Sequence, residues 1–294
     1  MVSHRTNSDQ DDLQSSIRSF VLMSQRDFDR FSSFIYSQCG VYLPPAKKVM
    51  LGVRLNKRLR ALGLQSFSDY FDYLRGPRGE AGELVHFIDT VTTNKTDFFR
   101  EPNHFDILRN KVLPQLFQRK KTLRVWSAGC STGEEPYTLA MVLADFFERA
   151  AERANFSILA TDISTHVLAV AEKGVYGETD IKPIPLEFRK KFLLRGKGSQ
   201  EGLFRMVPQL RNKIRFVRLN LNEGDAFGIK SLVDVLFCRN VVIYFDRQTQ
   251  KRLFAKFYSQ IRGGGYLFVG HSESLHSIND HFVLVAPSVY QKPL

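Results

Sequence analysis

Apolar and polar residues follow two different patterns along the chain, and the change falls between residues 90 and 123. From Ser24 to about Thr90 the apolar residues recur at helical spacing, with serines at positions suited to helix N-caps. The predicted helices are Gln25–Cys39, residues 69–74 and a helix around residues 84–88. This part predicts a small all-α domain at residues 21–90, preceded by a polar, flexible tail at residues 1–20.

From Leu123 onward short apolar runs alternate with helical stretches, which predicts an α/β domain with a doubly wound, Rossmann-like sheet. The predicted strands are residues 123–127, 157–161, 214–219, 233–238, 266–270 and 282–291. The predicted helices are residues 135–149, Thr165–Lys173 and residues 249–260. About forty residues separate Lys173 from Ile214, more than such a connection needs. Apolar runs on either side of residues 196–202 predict a β-hairpin there, within a small β-subdomain at about 176–213.

Composition narrows the class of protein. No apolar run approaches the ~18 residues that span a bilayer, and the first twenty residues lack a secretory core, so we expect a cytoplasmic protein without membrane insertion. The three cysteines have no pairing or metal-type spacing, which predicts neither a disulfide nor a metal site. The net charge of +12 indicates an acidic partner: nucleic acid, an anionic membrane or an acidic protein.

A glycine-containing turn follows the first predicted strand. Gly129 and Gly133 stand between that strand and a helix, where glycine lets the backbone approach a ligand at the carboxyl end of the sheet. The next strand ends at Asp162, the position where such folds bind a ribose hydroxyl pair. Together the two features favour an adenosine-bearing ligand. A tight turn without a ligand, and a helix N-cap at Asp162, are the alternatives; the spacing departs from the dinucleotide pattern, and no P-loop is present.

Several motifs resemble one family, the chemotaxis receptor glutamate methyltransferases (CheR type). They are residues 92–100 (TTNKTDFFR), 131–137 (STGEEPY), 160–163 (ATDI), 237–245 (FCRNVVIYF) and 270–273 (GHSE). The resemblance covers about residues 24–290. It implies S-adenosylmethionine as methyl donor, S-adenosylhomocysteine as product, and an enzyme that esterifies receptor glutamates. It also implies an α-helical receptor-docking domain, a linker at residues 91–100 that contributes to the cofactor site, and a methyltransferase domain at residues 101–294.

The resemblance further implies which residues contact the cofactor. They are Asn94, Thr96, Arg100, Glu135, Asp162, Asn220, Leu221, Arg239 and Asn240. Each has a structural alternative: Asn94 and Thr96 suit a helix cap, Asn220 suits a strand end, and Glu135 suits a helix N-terminus. Among these residues, only Asp162 is also indicated by the strand pattern.

Methyl transfer to an ionised carboxylate needs positioning and no general base. We expect Arg100 to steer the carboxylate and Tyr244 to give it a directional hydrogen bond. The alternatives are a salt bridge from Arg100 to Asp97 or Glu101, and a core position for Tyr244. His271 is not expected to act as a base.

A basic helix is the candidate docking surface. Residues 47–60 hold six basic residues and no acidic one, with a leucine stripe on one face and Lys47, Arg54, Lys57 and Arg58 on an adjoining, outward sector. A solvated face is the alternative. The family reading favours the cytoplasmic helical region of a chemoreceptor, an acidic protein substrate, with a receptor C-terminal peptide on the β-subdomain as a further partner. Nucleic acid is disfavoured because the amino-methylation, zinc-finger and RNP motifs are missing. A cofactor-binding scaffold is disfavoured because the expected contact residues are present.

Overall fold

The computed structural model describes residues 20–77, 79–92, 94–150, 155–275 and 281–294. The chain divides into two compact units, residues 1–92 and 93–294. The predicted tail at residues 1–20 lies outside the described residues except for Phe20.

The first unit is helical. Its helices are α1 (Gln25–Cys39), α2 (Lys48–Leu62), α3 (Phe67–Arg75) and α4 (Leu84–Val91), with a 3₁₀ turn at Pro45–Lys47 and a π turn at Gly79–Glu83. Ser24 caps α1 by accepting the Asp27 N–H at 3.0 Å, and Ser66 caps α3 by accepting the Asp69 N–H at 3.1 Å. The predicted helical pattern is therefore confirmed here, with side-chain caps that satisfy otherwise unpaired N–H groups.

Aromatic side chains form the core of the helical unit. Phe31 of α1 is fully buried and lies 5.2 Å from Phe71 and 5.9 Å from Phe87, measured between ring centroids. The leucine stripe of α2 is buried at Leu51, Leu55 and Leu59. The stripe predicted from helical periodicity thus packs inward.

The second unit contains a seven-stranded sheet, made of β1 (Thr122–Ala128), β2 (Asn155–Asp162), β6 (Ile214–Arg218), β7 (Val233–Cys238), β8 (Ile261–Val269), β9 (Val283–Ala286) and β10 (Val289–Gln291). The strand order is β6-β2-β1-β7-β8-β10-β9. The first five strands of the order pair in parallel, whereas β10 pairs antiparallel with β8 and with β9. The predicted doubly wound α/β architecture is confirmed.

The second unit also contains helices. They are α5 (Asn103–Ile107), α6 (Leu113–Arg119), α7 (Glu134–Arg149), α8 (Thr165–Lys173), α9 (Leu186–Phe192), α10 (Pro208–Arg211) and α11 (Arg247–Gln260). A π turn at Leu108–Val112 joins α5 to α6. Strand β7 is buried at every position, as expected for a parallel strand covered on both faces.

A second, three-stranded antiparallel sheet is made of β3 (Val175–Gly177), β4 (Leu193–Arg195) and β5 (Leu203–Met206). Its strand order is β3-β5-β4. The predicted hairpin is confirmed by the pairing of β4 with β5. Strand β3 was not predicted, because three residues after a helix carry too little periodicity to be recognised.

The prediction of one strand over residues 282–291 is wrong. The chain reverses there, and β9 and β10 pair with each other. Pro287 has no N–H to donate to a ladder, and Ser288 has a left-handed φ of 57°, so the extended run is interrupted by a turn. Among the residues described, no helix is both long enough and apolar enough to span a membrane.

Candidate active site

The glycine turn connects β1 to α7 at the carboxyl edge of the sheet. Gly129 has φ 81°, and a Cβ added there would lie 2.3 Å from Val241 Cγ2. Gly133 has φ 100°, with Ala171 Cβ 2.9 Å from an added Cβ. Both positions therefore require glycine, for backbone conformation and for space. The Gly129 and Cys130 N–H groups donate to the Thr161 carbonyl at 2.8 and 2.9 Å, which joins this turn to the end of β2.

Asp162 ends β2 beside that turn. Its Oδ2 accepts the Ser131 N–H at 2.8 Å, and its Oδ1 accepts the Ser164 N–H at 3.0 Å. Ser164, rather than Asp162, caps α8, by accepting the Val167 N–H at 3.2 Å. Because each carboxylate oxygen can accept more than one hydrogen bond, Asp162 can hold two loops and still accept from a hydroxyl pair.

Arg239 follows β7, and its side chain is almost completely buried. It lies 3.0 Å from Glu101 Oε2 and 3.4 Å from Glu135 Oε2, and it also donates to the Arg100 carbonyl. Burial acts against ionisation of Glu101, but the Arg239 guanidinium holds the pKa of that carboxyl below its ordinary value. Burial raises the pKa of the Glu135 carboxyl above its ordinary value, although Arg239 acts in the opposite direction. Arg239 thus links the segment after β7 to residues 100–101 and to Glu135 at the start of α7.

Glu101 also anchors the chain around Arg239. Its Oε1 lies 3.4 Å from two donors, Asn240 Nδ2 and the His271 N–H. Glu101 and Asn240 both have left-handed backbones, with φ of 55° and 58°. Such conformations are uncommon outside glycine and are often found at functional sites.

The segment after residue 93 meets the glycine turn. The Asn94 carbonyl accepts from Ser131 Oγ at 2.8 Å, and Arg100 Nη1 donates to the Lys95 carbonyl at 3.0 Å. Thr96 is half-buried in the same segment. Asn94 and Arg100 therefore lie in the same cluster as Asp162 and Arg239, linked through Ser131 and the Arg100 carbonyl.

Asn220 and Leu221 begin the loop after β6. Asn220 Oδ1 accepts the Asn222 N–H at 3.1 Å, and this turn is held by Lys256 of α11. Lys256 Nζ donates to the Leu221, Glu223 and Gly224 carbonyls at 2.7, 3.2 and 3.1 Å. Burial lowers the pKa of the Lys256 ammonium. Leu221, Lys256 and other residues of α11 line a cavity of about 440 Å³.

Tyr244 lies in a 3₁₀ turn, Val242–Tyr244, four residues beyond Asn240. It is half-buried, so the alternative of a fully buried core aromatic does not hold. The neighbouring Ile243 is exposed. Glu273 binds this loop from the opposite segment, accepting the Val242 N–H at 2.7 Å.

A group of possible metal ligands lies beside Arg239. Atoms of Glu101, His104 and His271 lie within 4.8 Å of one another. Burial first, and then the Arg239 charge, lower the pKa of His104 to about 4, so its ring is neutral at pH 7. A metal ion here would compete with Arg239 for Glu101, because both are cations. The prediction of no metal site stays a prediction.

The docking residues of the helical unit divide into two pairs. Lys47 and Lys57 are exposed, as predicted. Arg54 and Arg58 are half-buried, so they are less exposed than predicted. Arg54 donates to the Val91 and Thr92 carbonyls, and Arg58 forms two hydrogen bonds with Glu83. Helical periodicity places all four on one sector, but the chain around residues 83–92 folds over two of them.

Sequence reasoning missed Glu101, Lys256 and Glu273 as parts of this site. Glu101 directly follows the motif at residues 92–100, and Glu273 is the last residue of the motif at residues 270–273. These positions were the only indication of a role in the sequence. Lys256 gave none, because its acceptors are carbonyl groups more than thirty positions away along the chain.

Two family models match the chain in succession. Residues 26–92 match the CheR methyltransferase all-alpha domain, and residues 94–290 match the CheR methyltransferase SAM binding domain. The fold, the site and these matches define an S-adenosylmethionine-dependent methyltransferase. The chain belongs to the CheR methyltransferase family.

Similar proteins carry names that agree with this assignment. The chain is 37% identical to a chemotaxis protein methyltransferase of Borreliella burgdorferi, over 92% of the chain and 95% of the relative. It is 38% identical to that of Escherichia coli K12, over 91% of each. It is 39% identical to chemotaxis protein methyltransferase 2 of Pseudomonas aeruginosa, over 91% of the chain and 93% of the relative. The similarity therefore spans both units.

Proposed function

We propose that this enzyme transfers the methyl group of S-adenosylmethionine to glutamate side chains in the cytoplasmic helical region of chemoreceptors, forming methyl esters for sensory adaptation. The observation that carries the proposal is the match to both CheR domains, together with relatives named chemotaxis protein methyltransferases.

The hydrogen-bonding groups at the carboxyl edge of the sheet suit S-adenosylmethionine. Asp162 would accept from the ribose hydroxyls, and the loop at Asn220 and Leu221 would border the adenine. Arg239, Arg100 and Asn240 would hold the amino-acid end, with Asn94, Thr96 and Glu135 completing the site. When bound, the cofactor supplies an electrophilic methyl group on a sulfonium. The acidic side chains at this edge of the sheet suit a positively charged sulfur.

The acceptor carboxylate is already ionised at neutral pH, with a reference pKa near 4.3. The protein must therefore orient it and exclude water, rather than remove a proton. Arg100 would steer it by charge, and the Tyr244 hydroxyl would donate a hydrogen bond that leaves it nucleophilic.

Incubation with methyl-labelled S-adenosylmethionine and receptor-containing membranes tests the reaction. We expect label to enter a receptor and to be released by mild base as methanol, because carboxyl esters hydrolyse readily. Base-stable label, or label in nucleic acid, would contradict the proposal.

We further propose that exposed lysines of the helical unit, Lys47 and Lys57, attract the acidic receptor. Replacing both by Glu should raise the Michaelis constant for receptor and leave S-adenosylhomocysteine affinity unchanged, because exposed charges act mainly on encounter. The matched control reverses two exposed lysines of the other unit, Lys111 and Lys230. Raising the salt concentration should raise the Michaelis constant for receptor more in the wild type than in the Lys47/Lys57 double variant, since salt screens charges over ~8 to 10 Å. Equal increases of the Michaelis constant in the two double variants would contradict the proposal that Lys47 and Lys57 form a docking surface.

A receptor C-terminal peptide is the second partner in the proposal. Strand β4 lies at an edge of the three-stranded sheet and carries the exposed side chain of Leu194. A peptide could therefore add to this edge as a further strand. Titration with receptor tail peptides, and with a Leu194→Asp variant, tests it; equal affinity for both proteins would place the peptide elsewhere.

A further inference from the structure

We infer that Glu273 is a positioning residue, whose carboxylate fixes the loop at residues 240–244 so that Asn240 and Tyr244 face the reacting groups. The inference rests on the proposed roles of those two residues. It assigns a physical role to the last residue of the GHSE motif.

The carboxylate accepts four backbone N–H groups. Glu273 Oε2 accepts from Asn240 at 2.9 Å and from Gly270 at 2.6 Å. Its Oε1 accepts from Val242 at 2.7 Å and from Ile243 at 3.2 Å. Three of the four donors belong to the loop itself. The side chain thus binds the loop at both ends of the bend that follows Asn240.

The loop needs such an acceptor. The first N–H groups of a helical turn have no partner within the turn, and the turn begins at Val242. Asn240 also has a left-handed φ of 58°, which costs free energy in a residue other than glycine. Glu273 is 5% exposed, so water cannot readily replace its four bonds.

Gly270 is part of the same arrangement. A Cβ at this position would lie 2.9 Å from Glu273 Oε2 and 2.8 Å from Asn240 Nδ2. Glycine therefore leaves room for the carboxylate and for the asparagine amide while donating its own N–H. The spacing between Gly270 and Glu273 therefore allows the Gly270 N–H to donate to the Glu273 carboxylate without a side chain in the way.

Glutamine is the informative replacement. Its amide has the shape of the carboxylate but only one acceptor oxygen, so either orientation turns an NH₂ toward two backbone N–H groups. Burial raises the pKa of the Glu273 carboxyl, whereas the four amide donors favour its charged form. The wild-type geometry with four acceptor bonds is available only to the carboxylate.

The test uses the full-length enzyme, S-adenosylhomocysteine and receptor-containing membranes. For Glu273→Gln we expect kcat to fall about tenfold or more, since misplaced groups lose transition-state contacts, with a smaller loss of S-adenosylhomocysteine affinity through Asn240. Amide hydrogens of residues 240–243 should exchange faster, while those of α11 keep their rates. Glu172→Gln, at an exposed position of α8, is the matched control.

A double variant separates positioning from general destabilisation. If Glu273 acts through Tyr244, adding Glu273→Gln to Tyr244→Phe should lower kcat by no more than about twofold further. Fully multiplicative effects, or a folded Glu273→Gln variant with wild-type kcat and loop exchange, would overturn the inference. So would rapid exchange of the Asn240, Val242 and Ile243 amides in the wild-type enzyme, a measurement that needs no variant. Wild-type enzyme that fails to methylate receptor would count against the proposed function, since the exchange measurements do not involve receptor.

Discussion

Each unit of the chain contains an arginine that is held by glutamate, and the two arginines are held differently. In the helical unit Arg58 binds both oxygens of Glu83, at 2.8 and 2.6 Å, and the Tyr70 hydroxyl donates to the same carboxylate at 2.8 Å. In the methyltransferase unit Arg239 is divided between Glu101, Glu135 and a carbonyl. Arg58 therefore pairs with a single carboxylate, whereas Arg239 is shared between two carboxylates.

The difference separates residues that hold the fold from residues that hold the site. Glu83 is buried and forms a salt bridge with Arg58, so the pair joins α2 to the turn before α4. Glu101 and Glu135 are more exposed and have other donors, including Asn240 and the Ser127 hydroxyl. Loss of Arg58 therefore leaves the buried Glu83 carboxylate with the Tyr70 hydroxyl but without its cation, whereas loss of Arg239 leaves two carboxylates, Glu101 and Glu135, without their shared cation.

The largest expected effect is on stability. Arg58→Met should lower the free energy of unfolding by about 2 to 4 kcal/mol, because it leaves the buried Glu83 carboxylate without its cation, although Arg58 itself is partly exposed. Urea denaturation followed by circular dichroism measures this. Lys57→Met, one residue away and exposed, is the control and should change stability by less than about 0.5 kcal/mol. Similar losses in the two variants would show that the Arg58 pair does not hold the unit together.

Arg239→Met should act on cofactor binding, unlike Arg58→Met. We expect S-adenosylhomocysteine binding to weaken by about 1.5 to 3 kcal/mol, the range for a charged hydrogen bond, and Arg58→Met to leave that affinity unchanged. Calorimetric titration of both variants makes each the control for the other. Wild-type affinity in a folded Arg239→Met variant would remove Arg239 from the cofactor site.

A third prediction concerns pH and the histidine beside Arg239. The pKa of His104 is about 4 in the folded protein, against an ordinary value of 6.5, and the charged or titratable groups facing it are Arg239, Glu101 and His271. The unfolded chain therefore binds more protons between these values, so stability falls as pH falls through this window. Between pH 7 and 4.5 the loss from His104 should be about 2 kcal/mol, at 1.36 kcal/mol per pKa unit.

Urea unfolding of wild type and of His104→Leu at the two pH values isolates this term. The variant should lose about 2 kcal/mol less than wild type on acidification. An identical loss in both proteins would mean that His104 is protonated in the folded state at pH 4.5.

The pattern of apolar residues predicted both units and most of the sheet, because periodicity is a local property. It failed at residues 282–291, where a proline and a left-handed serine break an apolar run into two strands. It also failed to find β3, which is only three residues long.

The candidate site was less accessible to reasoning from local pattern. Asp162 could be predicted because it ends a strand beside a glycine turn. Arg239 could not, since it meets Glu101 from 138 positions away, and only the motif resemblance pointed to it. The partners of Arg54 and Arg58 could not be predicted for the same reason, because they lie 37 and 25 positions away along the chain. Both side chains were predicted to be exposed, and both form hydrogen bonds within the helical unit.

Calorimetric titration of S-adenosylhomocysteine into wild type and Asp162→Ala tests the cofactor site most directly. Asp162 lies where the turn after β1 meets the end of β2, so its loss should remove the acceptor for the ribose hydroxyls. We predict an affinity loss of about 1.5 to 3 kcal/mol, roughly ten- to a hundredfold. Unchanged affinity in a folded variant would contradict the account and place the cofactor elsewhere.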